Sequence, residues 1–258
     1  MLWKFYKTDP DICHYLFGTM HIATSEAYTY VDLASKYIVQ CTTFAAEMDL
    51  DEGNSETLIQ YLMVPEGEKF SYYFRPKQYD RYRKIVKKSF GIDLLDFERY
   101  TPFFINNLIS ERCLTKSKNQ ALDHFLWNFA MESGKEMTGV ETLADQLKIL
   151  QSIPMDFQVK AFRSSLKNVS GFKKKLQKLN TYYAEGNFKE LYQISKKSMG
   201  KIRKLMIYDR NLFMKERILN IISGNPSFIA VGAAHLFGQK GLIQLLRKEG
   251  YKVEQVKS

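Results

Sequence analysis

Two of the chain's four histidines occupy the same local setting, three residues after a glycine. Gly18 precedes His21 in "LFGTMHIAT", and Gly232 precedes His235 in "VGAAHLFGQKG". Each histidine follows an apolar run of the kind that forms a buried strand. A glycine there lets the backbone approach a neighbouring strand or a ligand, where a Cβ would obstruct it. A lone histidine after an apolar strand is most often a hydrogen-bonded core residue, but two in matched settings indicate a site.

Carboxylates end two further apolar stretches. Glu47 follows "TFAA", and Glu141 follows "TGV". Two imidazoles with one or two carboxylates form a common ligand set for a catalytic divalent metal. Such an ion polarises a carbonyl and activates water, and a carboxylate that is not a ligand can accept the proton. If a metal is bound, these residue types indicate hydrolysis; the alternative is that Glu47 caps a helix or pairs with an arginine.

The hydrophobic pattern predicts the elements that carry these residues. Apolar and β-prone runs predict strands at 13–20, 41–50 and 135–143, within 223–235, and at the final "YKVEQV". Helices are predicted at about 25–40, at "ADQLKIL" and from Leu242. Each strand–helix–strand unit implies a parallel pair of strands with a right-handed crossover.

Parallel strands bring their carboxyl ends to one edge of a sheet, which is where ligands bind in open α/β folds. The four candidate side chains each fall at the end of a predicted strand, and we expect them to meet there: His21, Glu47, Glu141 and His235. Their convergence from distant parts of the sequence is the main argument for a site.

The predicted fold class is α/β, with a small, mostly parallel sheet built from βαβ units at both ends of the chain and a large helical insertion. No Pro-, Gly- or Ser-rich linker divides the 258 residues. We therefore predict a single domain over residues 1–258, in which 52–134 and 145–222 are mainly helical insertions.

The remaining histidines and the cysteines are weaker candidates. His14 stands before its strand, and His124 lies on a predicted helix beside Asp123. The H-E-x-x-H pattern of familiar zinc enzymes is absent. The three cysteines show no C-x-x-C spacing, so reduced thiols are expected.

The net charge of +10 is concentrated in one part of the chain. Residues 160–217 contain sixteen Lys or Arg and four acidic residues. Apolar residues recur every three or four positions between Phe162 and Tyr183, which predicts an amphipathic helix with a basic, solvated face. No nucleic-acid motif accompanies the charge, so no nucleic-acid partner is expected. The alternative is that the basic face binds an anionic partner.

The sequence also gives an expectation about location. Its longest apolar runs are shorter than the ~20 residues that cross a bilayer, so no transmembrane segment is predicted. The first residues lack a basic segment followed by an uninterrupted apolar stretch. We therefore expect a cytoplasmic protein.

The motifs resemble the TraB/GumN family, which is related to the Tiki metalloprotease domain. The resemblance rests on "HYLFGTMHIAT", "FAAEMDL", "GVETLADQL", "YDRN" and "FIAVGAAHLFGQKG" in that order. It covers nearly the whole chain, although 52–120 and 150–200 resemble the family only in helical character. It implies an α/β core whose active site contains two G-x-x-H motifs and a glutamate.

The resemblance also implies roles for individual residues. His21 and His235 become metal ligands, and Glu47 a ligand or a general base. Further polar positions of the family are matched by four residues: Asp123, Glu141, Arg210 and Asn211. Arg210 has two open alternatives, a clamp for a substrate carboxylate or oxyanion and a structural ion pair with a site carboxylate. For Asn211, a functional role and a structural role are likewise both open.

The sequence thus favours a metal-dependent hydrolase, with peptide cleavage as the favoured reaction. The expected cofactor is a divalent ion, with manganese, cobalt and zinc as candidates, and the expected partner is a peptide or protein substrate. The TraB branch supplies the alternative of a protein that binds and sequesters a peptide without cutting it. A homo-oligomer is compatible with the sequence.

Overall fold

The computed structural model of the chain describes residues 1–8, 12–51 and 59–257. The chain divides into two compact units. Unit 1 comprises Met1–Glu52, Lys116–Gln146 and Leu179–Ser258, and unit 2 comprises Gly53–Thr115 and Leu147–Lys178. The prediction of a single domain with two insertions stays a prediction.

Unit 1 contains a six-stranded sheet. Its strands are β1 (Leu2–Tyr6), β2 (His14–Thr19), β3 (Thr43–Met48), β4 (Glu136–Glu141), β5 (Ser227–Gly232) and β6 (Lys252–Gln255). They are arranged in the order β4-β3-β5-β2-β1-β6. The four strands from β4 to β2 are parallel, and β1 is antiparallel to both of its neighbours. The predicted α/β class with a mostly parallel sheet is confirmed.

The expected pairing of consecutive strands is wrong. β2 and β3 are parallel, but β5 lies between them, and β2 and β1 lie between β5 and β6. Five of the six residues of β5 are buried. So apolar a strand is most stable at the centre of the sheet, covered on both faces and hydrogen-bonded along both edges. The antiparallel strand β1 is an addition to the predicted set.

The helices lie mainly between β3 and β5. They are α1 (Val31–Ile38), α2 (Pro76–Phe90), α3 (Pro102–Glu111), α4 (Leu122–Glu132), α5 (Leu143–Gln151), α6 (Met155–Lys167), α7 (Val169–Ala184), α8 (Phe188–Met199), α9 (Arg210–Ile221) and α10 (Leu242–Lys248). A π-helical segment, Lys204–Asp209, leads directly into α9. Of the residues that the structure describes, none belongs to a helix long and apolar enough to cross a membrane.

The periodic apolar stretch after residue 160 forms two helices rather than one. Asn168 interrupts it with an extended φ of −143° between α6 and α7. Gly186 and Gly200 separate later elements and have positive φ angles of 66° and 49°. Gly171 lies inside α7 and does not interrupt it.

An aromatic cluster fixes the parallel strands of unit 1. Phe228 on β5 stacks on Phe44 of β3 at 5.9 Å and contacts Phe17 of β2 at 6.0 Å between ring centroids. All three side chains are fully buried. Each contributes about 1.5–3 kcal/mol through removal of its apolar surface from water. Because the rings come from three adjacent strands, they hold those strands in register.

Unit 2 has a hydrophobic core of its own. Phe162 on α6 packs edge-on against Phe70 at 5.1 Å and also contacts Phe74 at 5.6 Å. None of the candidate site residues belongs to this unit. The site is therefore a feature of unit 1 alone.

Candidate functional site

The ends of four parallel strands bring the candidate residues together. Thr19 pairs with Gly232, and Met48 pairs with Glu141, so β2, β5, β3 and β4 end at the same edge. His21 follows β2 by two residues, and His235 ends the short 3-10 helix after β5. The prediction that these residues meet at one sheet edge is confirmed.

Glu47 lies at the centre of the cluster. The Nε2 atom of His21 is 3.9 Å from its Oε2, and the Nε2 atom of His235 is 3.8 Å from its Oε1. The backbone N–H of Gly232 donates to Oε2 at 2.7 Å, and Nη2 of Arg210 donates to Oε1 at 2.5 Å. Burial acts to raise the pKa of Glu47, but the nearby His235, Arg210 and His21 and the Gly232 N–H together hold it well below its ordinary value.

His21 is on the solvent side of the cluster. Its side chain is 63% exposed, and its Nδ1 lies 2.9 Å from Oδ2 of Asp123 on α4. The negative charge of Asp123 raises the pKa of His21 to about 9, against the effect of desolvation and with help from Glu47. A backbone hydrogen bond from the N–H of Leu122 to the carbonyl of Ile22, at 3.3 Å, fixes the loop of His21 to the start of α4. The strand end and the helix therefore position this histidine together.

His235 is buried, in contrast to His21, and its neighbours fix its protonation. Burial lowers its pKa to about 4, so the ring is neutral at pH 7. Its Nδ1 lies 2.6 Å from Oδ1 of Asn211, whose Nδ2 donates to the carbonyls of His235 and Lys240 at 3.0 and 2.7 Å. Because carbonyls only accept, the amide must present Oδ1 to the ring, and Nδ1 of His235 carries the hydrogen. The lone pair of Nε2 is left on the side of Glu47.

Arg210 and Glu141 form a buried ion pair behind Glu47. The Nε and Nη2 atoms of Arg210 donate to Glu141 at 2.9 and 2.5 Å, and Gln146 donates to the same carboxylate at 3.3 Å. Burial acts to lower the pKa of Arg210, but Glu141 and Glu47 raise it above its ordinary value. Of the two alternatives for Arg210, the structure shows the ion pair with site carboxylates.

The glycines of the two G-x-x-H motifs differ in their surroundings. A Cβ on Gly232 would lie 3.0 Å from Oε2 of Glu47, 3.6 Å from the ring of His235 and 3.7 Å from Nε2 of His21. A Cβ on Gly18 would instead meet the side chain of Leu236 at 2.6 Å. Gly232 therefore keeps the space between the three candidate ligands open, whereas Gly18 permits close packing in the core.

Several groups that hold the site together are not among the residues predicted from the sequence. The N–H of Gly232 and the side chain of Gln146 bind the carboxylates, and the hydroxyl of Tyr183 donates to the carbonyl of Gly18 at 2.7 Å. Gln146 lies on α5, five residues after Glu141, and this short separation is the only sequence signal for their contact. Tyr183 is 165 residues from its partner, and no local pattern indicates the pairing.

The other histidines are outside the cluster. His14 begins β2, at the opposite end of the strand from His21, and is buried. His124 is exposed on α4, one residue after Asp123. The three cysteines form no disulfide in the part of the chain that the structure describes.

The donor set has the chemistry that a divalent metal ion requires. The Nδ1 atoms of His21 and His235 lie 2.9 and 2.6 Å from oxygens of Asp123 and Asn211, which leaves both Nε2 atoms on the side of Glu47, the arrangement that outer partners give at metal sites. Two donors on one ion are about 3–4 Å apart, and both Nε2–O separations are in this range. Across residues 1–8, 12–51 and 59–257, however, no group of three or more His, Cys, Asp or Glu side chains is already arranged to hold a metal.

The charge of the cluster also favours a cation. Asp123, Glu47 and Glu141 supply three carboxylates, and Arg210 supplies one permanent positive charge. A proton on His21 reduces the excess negative charge in the described conformation. A metal ion at Nε2 would replace that proton, because imidazole coordinates a metal in its neutral form.

Comparison with known proteins gives independent evidence of the family to which the chain belongs. The sequence model of the TraB/PrgY/gumN family matches residues 1–255. Relatives include a "Metalloprotease TIKI homolog" of Nematostella vectensis, 23% identical over 99% of this chain and 67% of its own length. They also include "Metalloprotease TIKI2" of Danio rerio and "Metalloprotease TIKI1" of Homo sapiens, which are 24% and 22% identical over 98% of this chain.

The chain spans 60% and 61% of the length of the Danio rerio and Homo sapiens relatives. No solved structure matches it. The family match covers nearly every residue and contains both G-x-x-H motifs, Glu47 and Arg210. The chain belongs to the TraB/PrgY/gumN family.

Proposed function

We propose that this protein is a metal-dependent hydrolase that cleaves peptides, with His21, His235 and Glu47 as the metal ligands. One observation carries the proposal: two imidazole Nε2 atoms from separate strand ends face the two oxygens of one carboxylate, at 3.9 and 3.8 Å. The name metalloprotease, carried by relatives at about 23% identity, supports a peptide or protein as the substrate.

Each residue of the cluster has a defined task in this proposal. A divalent ion, when bound, supplies Lewis acidity toward a carbonyl group and toward water. Asp123 and Asn211 orient the two imidazoles through Nδ1, and Glu141 holds Arg210 against Glu47. The charge of Arg210 keeps Glu47 ionised, which suits a ligand. A general base would need a pKa closer to the working pH, so we assign Glu47 as a ligand.

The exposure of His21 supports access for a substrate. Its side chain is 63% exposed, whereas those of His235 and Glu47 are 4% and 11% exposed. The candidate ligand set is therefore open on one side and enclosed on the other. A peptide could approach from the side of His21 while the buried residues stay in place.

The test combines metal binding with peptide cleavage. Purified protein is supplied separately with manganese, cobalt and zinc and incubated with a mixture of unstructured peptides, and products are identified by mass spectrometry. His21→Ala and His235→Ala should lose cleavage, whereas His124→Ala, which changes an exposed histidine outside the cluster, should retain it. Undiminished cleavage by the chelator-treated double variant would contradict the proposal.

A second candidate is a protein that binds peptides without cleaving them. It is favoured by the ion pair between Arg210 and Glu47, which occupies one oxygen of the central carboxylate. Peptide affinity that survives chelation, with no product at any metal concentration, would support this candidate. Loss of peptide cleavage together with the metal would support the hydrolase.

A further inference from the structure

A basic cavity lies within unit 1, next to the end of α8. Its volume is about 680 Å³, and its lining residues include Lys196, Lys197, Lys201, Arg203, Lys204 and Tyr208. The described residues that line it contain no Asp or Glu. The metal-site residues do not contribute to this lining, so the cavity is a separate feature.

Arg203 is the unusual member of this lining. Its side chain is stacked against the rings of Tyr192 and Tyr208, at 4.7 and 5.2 Å from their centroids, and its Nε donates to the Tyr208 hydroxyl at 2.9 Å. The residue is only 4% exposed. Both of its terminal nitrogens, Nη1 and Nη2, are buried without a hydrogen-bond partner among the described residues. A buried charged donor left unsatisfied costs free energy, which a bound anion would recover.

The backbone around Arg203 is irregular in a way that concentrates the cations. α8 ends at Met199, Gly200 takes a φ of 49°, and a 3-10 turn covers Gly200–Ile202. The π-helical segment Lys204–Asp209 follows directly. π-helical turns are rare and occur frequently at functional sites. The change of helix type brings side chains from α8 and from the segment after it to one cavity.

We propose that this cavity binds a phosphate group. The two terminal nitrogens of an arginine fit two oxygens of a phosphate or a carboxylate. Lys204 is paired with Asp209 at 2.8 Å, which leaves Arg203 and three lysines to neutralise a ligand. A phosphate monoester carries about −1.5 to −2 charges at pH 7 and a carboxylate only one, so the cluster favours phosphate. The group could belong to a soluble phosphate ester or to a lipid headgroup.

Titration calorimetry at constant ionic strength tests this proposal on the full chain. The soluble probes are inorganic phosphate and tripolyphosphate, with acetate as the carboxylate control. Vesicles of phosphatidylcholine with and without phosphatidic acid form the lipid arm. Saturable binding of a soluble probe identifies a soluble ligand, and binding only to phosphatidic acid identifies a headgroup. Absence of saturable binding in both arms, or equal affinity for acetate, would overturn the proposal.

Variants then locate the binding. Arg203→Gln should weaken the affinity about 10- to 100-fold, because it removes a charge-assisted pair of donors. Lys201→Gln should weaken it about threefold, and Lys189→Gln, an exposed lysine of α8 outside the lining, should not change it. If Arg203→Gln does not fold, the affinity of the double variant Lys197→Gln/Lys201→Gln decides whether the cavity is the binding site. Equal affinity of that variant and Lys189→Gln would refute the site.

Discussion

Asn211 holds His235 in a single tautomer. The Nδ1 atom of the ring lies 2.6 Å from the amide oxygen, and the amide nitrogen is committed to two backbone carbonyls. Asn211 is the second residue of α9 and is fully buried, so the helix start and the loop after β5 are fixed to each other. The consequence is an imidazole whose lone pair is directed to Glu47 without any adjustment.

Replacing this amide should damage both stability and metal affinity. Asn211→Ala leaves the carbonyls of His235 and Lys240 without their donor, which should lower the free energy of unfolding by about 2–4 kcal/mol. The loss of ring orientation should weaken metal binding about 10- to 100-fold. Chemical denaturation and metal titration measure the two effects. The control is Asn128→Ala, an exposed asparagine on α4 that should leave both unchanged.

Gly232 offers a change that acts on the site with little effect on the fold. Its φ and ψ of −52° and 133° are ordinary for alanine, so Gly232→Ala introduces no backbone strain. The new Cβ would occupy the space between Glu47, His235 and His21. We expect metal affinity to fall about tenfold or more, with the unfolding free energy changed by about 1 kcal/mol or less. Gly224→Ala is the matched control, because among the described residues no atom outside its own chain neighbours lies within 4 Å of the new Cβ. A loss of affinity in both variants would contradict this interpretation.

The buried ion pair should dominate the stability of the cluster. Arg210→Met removes the cation that, among the described residues, contacts both Glu47 and Glu141, and we expect a loss of about 3–5 kcal/mol in the free energy of unfolding. Arg217→Met breaks the partly exposed pair with Asp145 and should cost about 1 kcal/mol or less. Urea unfolding of the two variants measures the difference. Similar losses of unfolding free energy in the two variants would show that the buried Arg210 pair stabilises the fold no more than the partly exposed Arg217 pair.

His14 should make stability depend on pH. It is buried with its Nδ1 unsatisfied among the described residues, and burial lowers its pKa from 6.5 to about 4. Between these values the unfolded chain binds a proton that the folded chain does not. The free energy of unfolding is therefore unaffected by His14 above pH 6.5 and decreases as the pH falls toward 4. The loss should be about 1–3 kcal/mol.

His14→Leu removes this titration while keeping an apolar side chain of similar size. The difference in unfolding free energy between the wild type and His14→Leu should change steadily from pH 6.5 to pH 4. His124→Ala, which changes an exposed histidine, should follow the wild type throughout. A difference that is constant with pH would show that His14 titrates in the same way in both states.

The site was more predictable from the sequence than the order of the strands. His21, Glu47, Glu141 and His235 each end a predicted strand, and parallel strands bring such ends together whatever their order. The position of β5 between β2 and β3 depends on packing of Phe228 against Phe17 and Phe44, which local periodicity does not report. The same limit explains why β1 was not predicted.

The partners of Arg210 show the same limit. Its contacts with Glu47 and Glu141 join positions 163 and 69 residues apart, so the sequence left the ion pair and the substrate clamp as equal alternatives. In the sequence, Arg203 is one of the sixteen basic residues of 160–217 and has no distinguishing pattern around it. Its burial between two tyrosine rings emerges only from the fold, as does the lack of a hydrogen-bond partner for Nη1 and Nη2 among the described residues.

Metal binding by the two histidines is the central claim, and its most direct test is the metal content of purified variants. Elemental analysis after dialysis against manganese, cobalt or zinc should find about one ion per chain in the wild type and in His124→Ala. His21→Ala and His235→Ala, shown to be folded by circular dichroism, should contain almost none. Equal metal content in all four proteins, or none in the wild type with any of the three ions, would contradict the account.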